Sequence, residues 1–475
     1  METKNSPYSL GFRTLENEVL LDSLPVEGKI PEWISGTLVR NGPARFETAK
    51  ANFRHWFDGL GMLHKFSFRN GKVSYANRYL QSRAYKKTLK TGKIHYREFA
   101  TDPCRSLLGR VGSLFFTEFT DNANVNVTQI AQRFIAMTEA PMAVEFDINT
   151  LETTGVFDYG ISSRCMSTAH PHYDVRQKSF VNYGLQFSRT CTYHFYQIPE
   201  DTQKRVITCS IPVKEPAYIH SFGMTEHFLI LAEFPLVVNP IQIVLSGKPF
   251  IENFRWAPER GTRFWIIDKN DGKVLKVSET EAFFSFHHIN AFERGREIFM
   301  DISGYPDASV MNQLYLDSVR EVHKGEFAKT LFRRYRIPLN GNVANEEFRS
   351  REAIELPRIH YSRCNTQEYR WVYGVGVREK SQEDFYNQLV RLDVSSQEAQ
   401  TWWEEGCYPG EPVFVPLPQS RSEGEGILLS IVLDSKRERS FLLILDARTL
   451  EEIGRAPVSH PIPFGFHGQF FGENE

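Results

Sequence analysis

Fourteen histidines are spread along the 475 residues, and four of them sit in apolar, strand-like settings with turn residues close by: His170 in STAHPHYD, His220 in PAYIHSFGM, His287 in FFSFHHINAFE and His467 in IPFGFHGQF. Imidazole nitrogens are good ligands for Fe(II), Zn(II) and related ions, so four converging histidines would make an all-nitrogen metal site. The separations of 50, 67 and 180 residues are far too long for a local metal motif. They suit ligands donated from separate structural units toward a common axis. On spacing alone, histidines satisfied by ordinary hydrogen-bond partners are the better reading.

The elements that would have to carry such ligands read as β-structure. KFSFRNGKVSYANRYL alternates apolar and polar residues around Asn70-Gly71, the signature of a tight hairpin. A looser unit recurs: an apolar strand ending in aspartate, a short turn and a return strand, at Asp147, Asp268, Asp393 and Asp446. Recurrence of one hairpin with no linker between copies favours a β-propeller in a single domain spanning 1–475, with a β-sandwich array as the alternative. Ser106 to Phe116 and Asn345 to Glu352 read as helical or irregular insertions capping one face of the ring.

Composition narrows the function classes. With 56 basic and 58 acidic side chains the net charge is −2, and no long run of one sign points to a nucleic-acid partner. The six cysteines are scattered without a C-x-x-C pair, which predicts reduced thiols and no thiolate metal site. METKNSPYSLGF lacks the basic-then-apolar pattern of a signal peptide and reads as a cytoplasmic start. The longest apolar stretch, Phe228 to Leu245, is interrupted by Glu233, Pro235, Asn239, Pro240 and Gln242, so no spanning helix is expected. Aromatic residues make up 13% of the chain, with 37 phenylalanines, enough to line an apolar tunnel or to fill an ordinary β core.

Seven blocks in order along the chain, RNGPARFE (40–47), HWFDGLGMLHKF (55–66), TDNANVNV (120–127), TAHPH (168–172), IHSFGMTEHF (219–228), FHHINAFE (286–293) and FHG (466–468), resemble the carotenoid cleavage oxygenase family. The resemblance implies an all-β fold, a seven-bladed propeller with a helical and loop cap, and Fe(II) on its axis bound by His170, His220, His287 and His467. It selects the first histidine of FHHINAFE and of TAHPH, leaving His288 and His172 structural. It also implies that Glu139 in AMTEAP, Glu355 in IELPRI and Glu411 in PGEPVF support His220, His287 and His467, while His170 has no glutamate partner. Such acceptors are needed because each ligand's second ring N–H must be held to fix tautomer and aim.

The implied reaction is cleavage of one C=C bond of a carotenoid or apocarotenoid, for example β-carotene, with both atoms of O2 entering two carbonyl products such as retinal. Thr138 and Phe99 stand where the stilbene-cleaving branch has a lysine and a tyrosine for the substrate phenol, which disfavours a stilbene. The chain is more similar to the animal branch, which leaves a retinyl-ester isomerohydrolase as an alternative; a non-enzymatic binding propeller is a weaker one. A bilayer-dissolved polyene calls for an exposed apolar mouth and peripheral membrane contact. Candidates are Leu107, Leu108, Phe115 and Phe116 in one segment and Val237, Ile241 and Leu245 in another, both placed near the entrance by the resemblance. No protein partner is implied.

Overall fold

The computed structural model describes residues 6–103, 119–157, 165–188, 190–202, 204–321, 327–378 and 385–473. Its strands form seven antiparallel sheets of four to six strands and one two-stranded ribbon, Leu236–Val238 with Phe254–Trp256. The seven sheets are the blades of a β-propeller. In chain order the blades span roughly 36–79, 126–157, 165–213, 223–280, 288–353, 355–402 and 407–457.

The recurring aspartate explains the hairpins. Asp147 Oδ1 accepts from the amides of Asn149 and Thr150 at 2.9 and 2.8 Å, and Asp446 Oδ1 from Arg448 and Thr449 at 2.8 and 3.0 Å. Asp268 and Asp393 bind their own turns in the same way. The fourth residue after each aspartate turns left-handed, with φ of 58° at Leu151, 69° at Gly272, 64° at Gln397 and 56° at Leu450, and its amide returns to the aspartate carbonyl. The side chain thus stands in for turn bonds the backbone lacks, which is why aspartate recurs. Asp174 and Asp434 build two more such turns, with Lys178 and Glu438 in the left-handed position.

The ring closes twice. Gly468–Gly472 pairs with Gly36–Arg45, setting Arg40 opposite Gly468, and the short strand Glu27–Gly28 pairs with Glu452–Pro457. Near the first seam a Cβ on Gly42 would lie 2.3 Å from Gly465 Cα, so this close approach requires glycine. The motif blocks stitch neighbouring blades: Asn41 Nδ2 donates to the carbonyls of Ala123 and Asn126, Asn122 and Asn124 donate to Gly59 O, and Asn126 Nδ2 donates to Ala169 O.

The cap is knit from distant segments. Trp56 N donates to Leu314 O, Leu316 N to Arg54 O, Ile251 N to Phe99 O and Ser6 N to Arg320 O. Short helices Arg83–Thr91, Pro240–Leu245, Val310–Gln313 and Leu316–Arg320 punctuate it.

One expectation is corrected. Residues 345–352 belong to a β-strand, Asn345–Ala353, at the edge of the fifth blade. Its sequence NEEFRSREA hides the strand because an edge strand is covered on little of its surface and carries charge, here an Arg333–Glu346–Arg349 cluster. The other proposed insertion, Ser106 to Phe116, lies outside the described residues.

Candidate metal centre

Each blade supplies one group to the axis. His170 occupies the break between the inner strands Cys165–Ser167 and His172–Asp174; His220 precedes Gly223–Met224; His287 immediately precedes His288–Arg294; His467 immediately precedes Gly468–Gly472. Backbone bonds fix these positions: Ser303 N donates to His287 O at 2.9 Å, and His467 is held on both sides, its amide to Val125 O and its carbonyl by Asn41 N. The remaining blades supply Glu139, Glu355 and Glu411.

The four rings converge. His170 Nε2 stands 2.9 Å from His220 Nε2, His287 Nε2 3.1 Å from His467 Nε2, and all four candidate ligand atoms lie within 4.8 Å of one another. Behind them, His287 Nδ1 donates to Glu355 Oε2 at 2.7 Å, His467 Nδ1 to Glu411 Oε1 at 2.8 Å and His220 Nδ1 to Glu139 Oε1. Among the described residues no carboxylate pairs with His170.

This donor set fits a metal ion. With its Nδ1 proton committed to glutamate, each of His220, His287 and His467 turns an Nε2 lone pair inward. Two lone pairs facing at 3.1 Å repel, and a dication between them converts the repulsion into bonding. Nitrogens bound at right angles to one ion at roughly 2.1 Å, the length zinc makes with imidazole, stand about 3 Å apart, matching both spacings.

The electrostatics favour neutral ligands. Burial pushes His467 down to about 4, and burial with three neighbouring imidazoles holds His170 well below its ordinary value. Burial alone would raise the Glu411 carboxyl, but the charges of Arg358 and Arg40, then His467, hold it well below the usual range. Arg40 pairs directly with Glu411 and donates to Phe466 O at 2.8 Å; Gly468 N donates to Glu411 Oε2 at 3.0 Å. Burial likewise opposes ionisation of Glu355, but His287, the Leu356 amide at 2.6 Å and the Tyr305 hydroxyl at 3.1 Å keep it lowered. Tyr218 donates to Glu139, at 2.9 and 3.0 Å from its two oxygens.

His172 and His288 stand apart from this cluster. His172 bonds Tyr361 OH at 2.9 Å and Phe222 O at 3.0 Å, and His288 Nδ1 meets Ser221 Oγ at 2.8 Å. Phe99 packs against His55, Phe57 and Tyr218, at the end of an aromatic wall that continues through Phe286 to His220. Thr138 is part-buried beside Glu139.

The proposed apolar mouth is partly corrected. Val237 is 1% exposed because it packs in a core cluster with Val181, Tyr193 and Leu229, so it belongs to the core. Ile241 and Leu245, on the helix that follows, are 64% and 72% exposed. Leu107, Leu108, Phe115 and Phe116 lie outside the described residues.

Sequence reasoning passed over Arg40, Arg358, Tyr218 and Tyr305. Tyr218 carried a signal: it stands two residues before His220, on the same side of an extended segment. Arg40 carried another, a cation following the apolar Leu38 and Val39 inside the strand GTLVRNGPAR. Tyr305 carried none.

The family model described as retinal pigment epithelial membrane protein (RPE65) matches residues 12–472. The human mitochondrial carotenoid-cleaving dioxygenase is 33% identical over 94% of this chain and 88% of its own. The Gallus gallus β,β-carotene 15,15'-dioxygenase is 31% identical over 95% of each chain, and the Galleria mellonella carotenoid isomerooxygenase 31% identical over 98% of this chain and 97% of its own. A variant of the Synechocystis apocarotenoid oxygenase superposes with a TM-score of 0.88 at 24% identity, covering 99% of this chain and all (100%) of that one, and the cobalt-substituted enzyme with 0.87. These two likenesses speak for the fold. A matched span of 12–472, on a propeller that gathers four histidines at its axis, establishes that the chain belongs to the RPE65/carotenoid oxygenase family.

Proposed function

We propose that the protein is a non-haem iron(II) dioxygenase that cleaves one C=C bond of a carotenoid or apocarotenoid, with His170, His220, His287 and His467 as the iron ligands and Glu139, Glu355 and Glu411 orienting three of them. The observation that carries this reading is the convergence of four Nε2 atoms whose opposite ring nitrogens, in three cases, are tied to buried or part-buried carboxylates. The curated relatives named as carotenoid dioxygenases supply the substrate class.

Iron(II) at this site would supply binding and activation of O2, both atoms of which end in two carbonyls as the C=C bond breaks. The chain's own groups do the rest. The glutamates fix the imidazole tautomers and hold the rings in place. Burial keeps His467 and His170 neutral, so lone pairs remain available at neutral pH. The wall of Phe57, Phe99, Tyr218 and Phe286 offers an apolar bed that positions a polyene and excludes water. The reaction calls for no protein general base. Thr138 and Phe99 put neither a lysine nor a tyrosine at the phenol-binding positions of the stilbene-cleaving branch, which supports a polyene.

The reading includes a cytoplasmic enzyme in peripheral contact with a bilayer, from which the substrate is drawn. The exposed Ile241 and Leu245 beside Lys248 support it. The test is to load the protein with iron, measure metal per chain, and supply β-carotene, a shorter apocarotenal and a retinyl ester. Aldehyde products at about one iron per chain are expected, retinal among them if the central bond is cut. Retinol released from the ester with no aldehyde formed would replace cleavage by isomerohydrolysis, and full activity with another metal would displace iron.

A further inference from the structure

Beside the metal centre the ring and cap border a half-open cavity of about 30 Å³, lined by residues that include Glu139, Ser167, Tyr183, Leu185, Tyr218 and Phe254. Most of its polar atoms are engaged. Glu139 accepts from His220 and Tyr218, and Ser167 Oγ accepts from Tyr196 OH at 2.9 Å. Tyr183 is the exception: it is 3% exposed, yet its hydroxyl has no hydrogen-bond partner among the described residues. The backbone around it is fixed, since its amide donates to Asn182 Oδ1 at 2.8 Å and its carbonyl accepts from Thr168 N at 3.1 Å. An unpaired buried donor costs about 1–3 kcal/mol, and phenylalanine would fill the same apolar slot without that cost.

We propose that Tyr183 donates a hydrogen bond to the terminal carbonyl oxygen of an aldehyde- or ketone-ended polyene lying beside the metal centre. The inference rests on the polyene-cleaving reading and adds the end group the site favours. The free group is a donor, so the ligand must bring an acceptor. At about 30 Å³ the cavity takes one or two heavy atoms, which suits a slender oxygen-tipped end. The Glu139 carboxylate group in the same wall, already accepting from His220 and Tyr218, disfavours an acidic end group, and a neutral carbonyl is the acceptor we assign.

The test compares wild type with Tyr183→Phe, both iron-loaded and held without O2 so that nothing turns over. Affinities for an apocarotenal and for a hydrocarbon carotenoid are measured by absorbance titration, and the carbonyl stretch of the bound aldehyde by Raman spectroscopy. The ratio of aldehyde to hydrocarbon affinity should fall about 5–10-fold in the variant, the worth of one net hydrogen bond, and the lowered carbonyl stretch should return toward its free value. An unchanged ratio overturns the proposal, as does a crystal structure with only an ordered water on the hydroxyl in the aldehyde complex. If the variant fails to fold, an unshifted carbonyl stretch in wild type is equally decisive against it, and a shifted one supports it. Tyr183-dependent aldehyde binding without cleavage of any carotenoid would keep this inference and remove the proposed activity; cleavage with Tyr183-indifferent aldehyde binding would do the reverse.

Discussion

Behind His467, Glu411 is 1% exposed and meets two guanidiniums, Arg40 in direct contact and Arg358 at 3.8 Å, plus the Gly468 amide. Behind His220, Glu139 has 18% of its side chain exposed, is held by the neutral hydroxyl of Tyr218, and borders a cavity. Both carboxylates orient an imidazole, but one is locked into the seam where the last strand joins the first blade, and the other faces the aromatic wall under the cap. A charged clamp suits the seam because nothing has to enter there. On the cap side, cations would burden an apolar path with desolvation, and a tyrosine supplies a hydrogen bond without a charge. On the proposed function, the difference marks a structural side and a substrate side of the candidate metal centre.

The largest effects should treat the two sides alike. Replacing His170, His220, His287 or His467 by Ala should abolish activity and deplete the metal measured by elemental analysis, while His172→Ala and His288→Ala should keep it. Full iron retention by the His287 variant, with loss in the His288 variant, would move the ligand one residue along.

Glutamate replacements should separate the sides. Glu411→Gln leaves Arg40 buried without its direct counter-charge and should cost roughly 3 kcal/mol or more of stability in denaturant titrations, besides weakening metal binding. Glu139→Gln should weaken metal binding or activity roughly 10 to 100-fold with the fold intact. Equal stability losses in the two variants would break the comparison.

The proposed membrane contact lies on the cap side, at the helix Pro240–Leu245. Ile241→Ser with Leu245→Ser should lower liposome binding by about 30-fold, because each exposed side chain contributes on the order of 1 kcal/mol when only part of it enters the interface. Unchanged liposome binding with a lowered unfolding temperature would return both residues to the core.

A last effect probes the seam through pH. His64 is buried, bonded to Tyr75 OH at 2.9 Å, and held at about 3 by burial, then by His460 and Arg40. It stays neutral in the fold while the unfolded chain takes up a proton below about 6.5, so its contribution is present above that pH and is lost as pH falls toward about 3. Thermal unfolding of metal-free protein should therefore steepen its decline below pH 6.5, and His64→Asn should flatten that slope by up to about 1.4 kcal/mol per pH unit. An identical slope in the variant would mean that His64 does not report on the seam.

What sequence alone determined is what local chemistry encodes. The Asn70-Gly71 hairpin and the strands ending at Asp147, Asp268, Asp393 and Asp446 were legible because turn bonds form within four residues of the aspartate. The charged edge strand Asn345–Ala353 was not, since its pairing partner rather than its own pattern makes it a strand. Among the fourteen histidines, the family blocks singled out the four that the fold gathers. Only tertiary structure decided what holds the supporting glutamates and which apolar side chains face outward: Arg40 reaches Glu411 across 371 residues, Tyr305 reaches Glu355 across 50, and Val237 falls into the core while Ile241, four residues on, stays exposed. A ring of blades places side chains by radius and face, and neither coordinate is written in the spacing of residues along the chain.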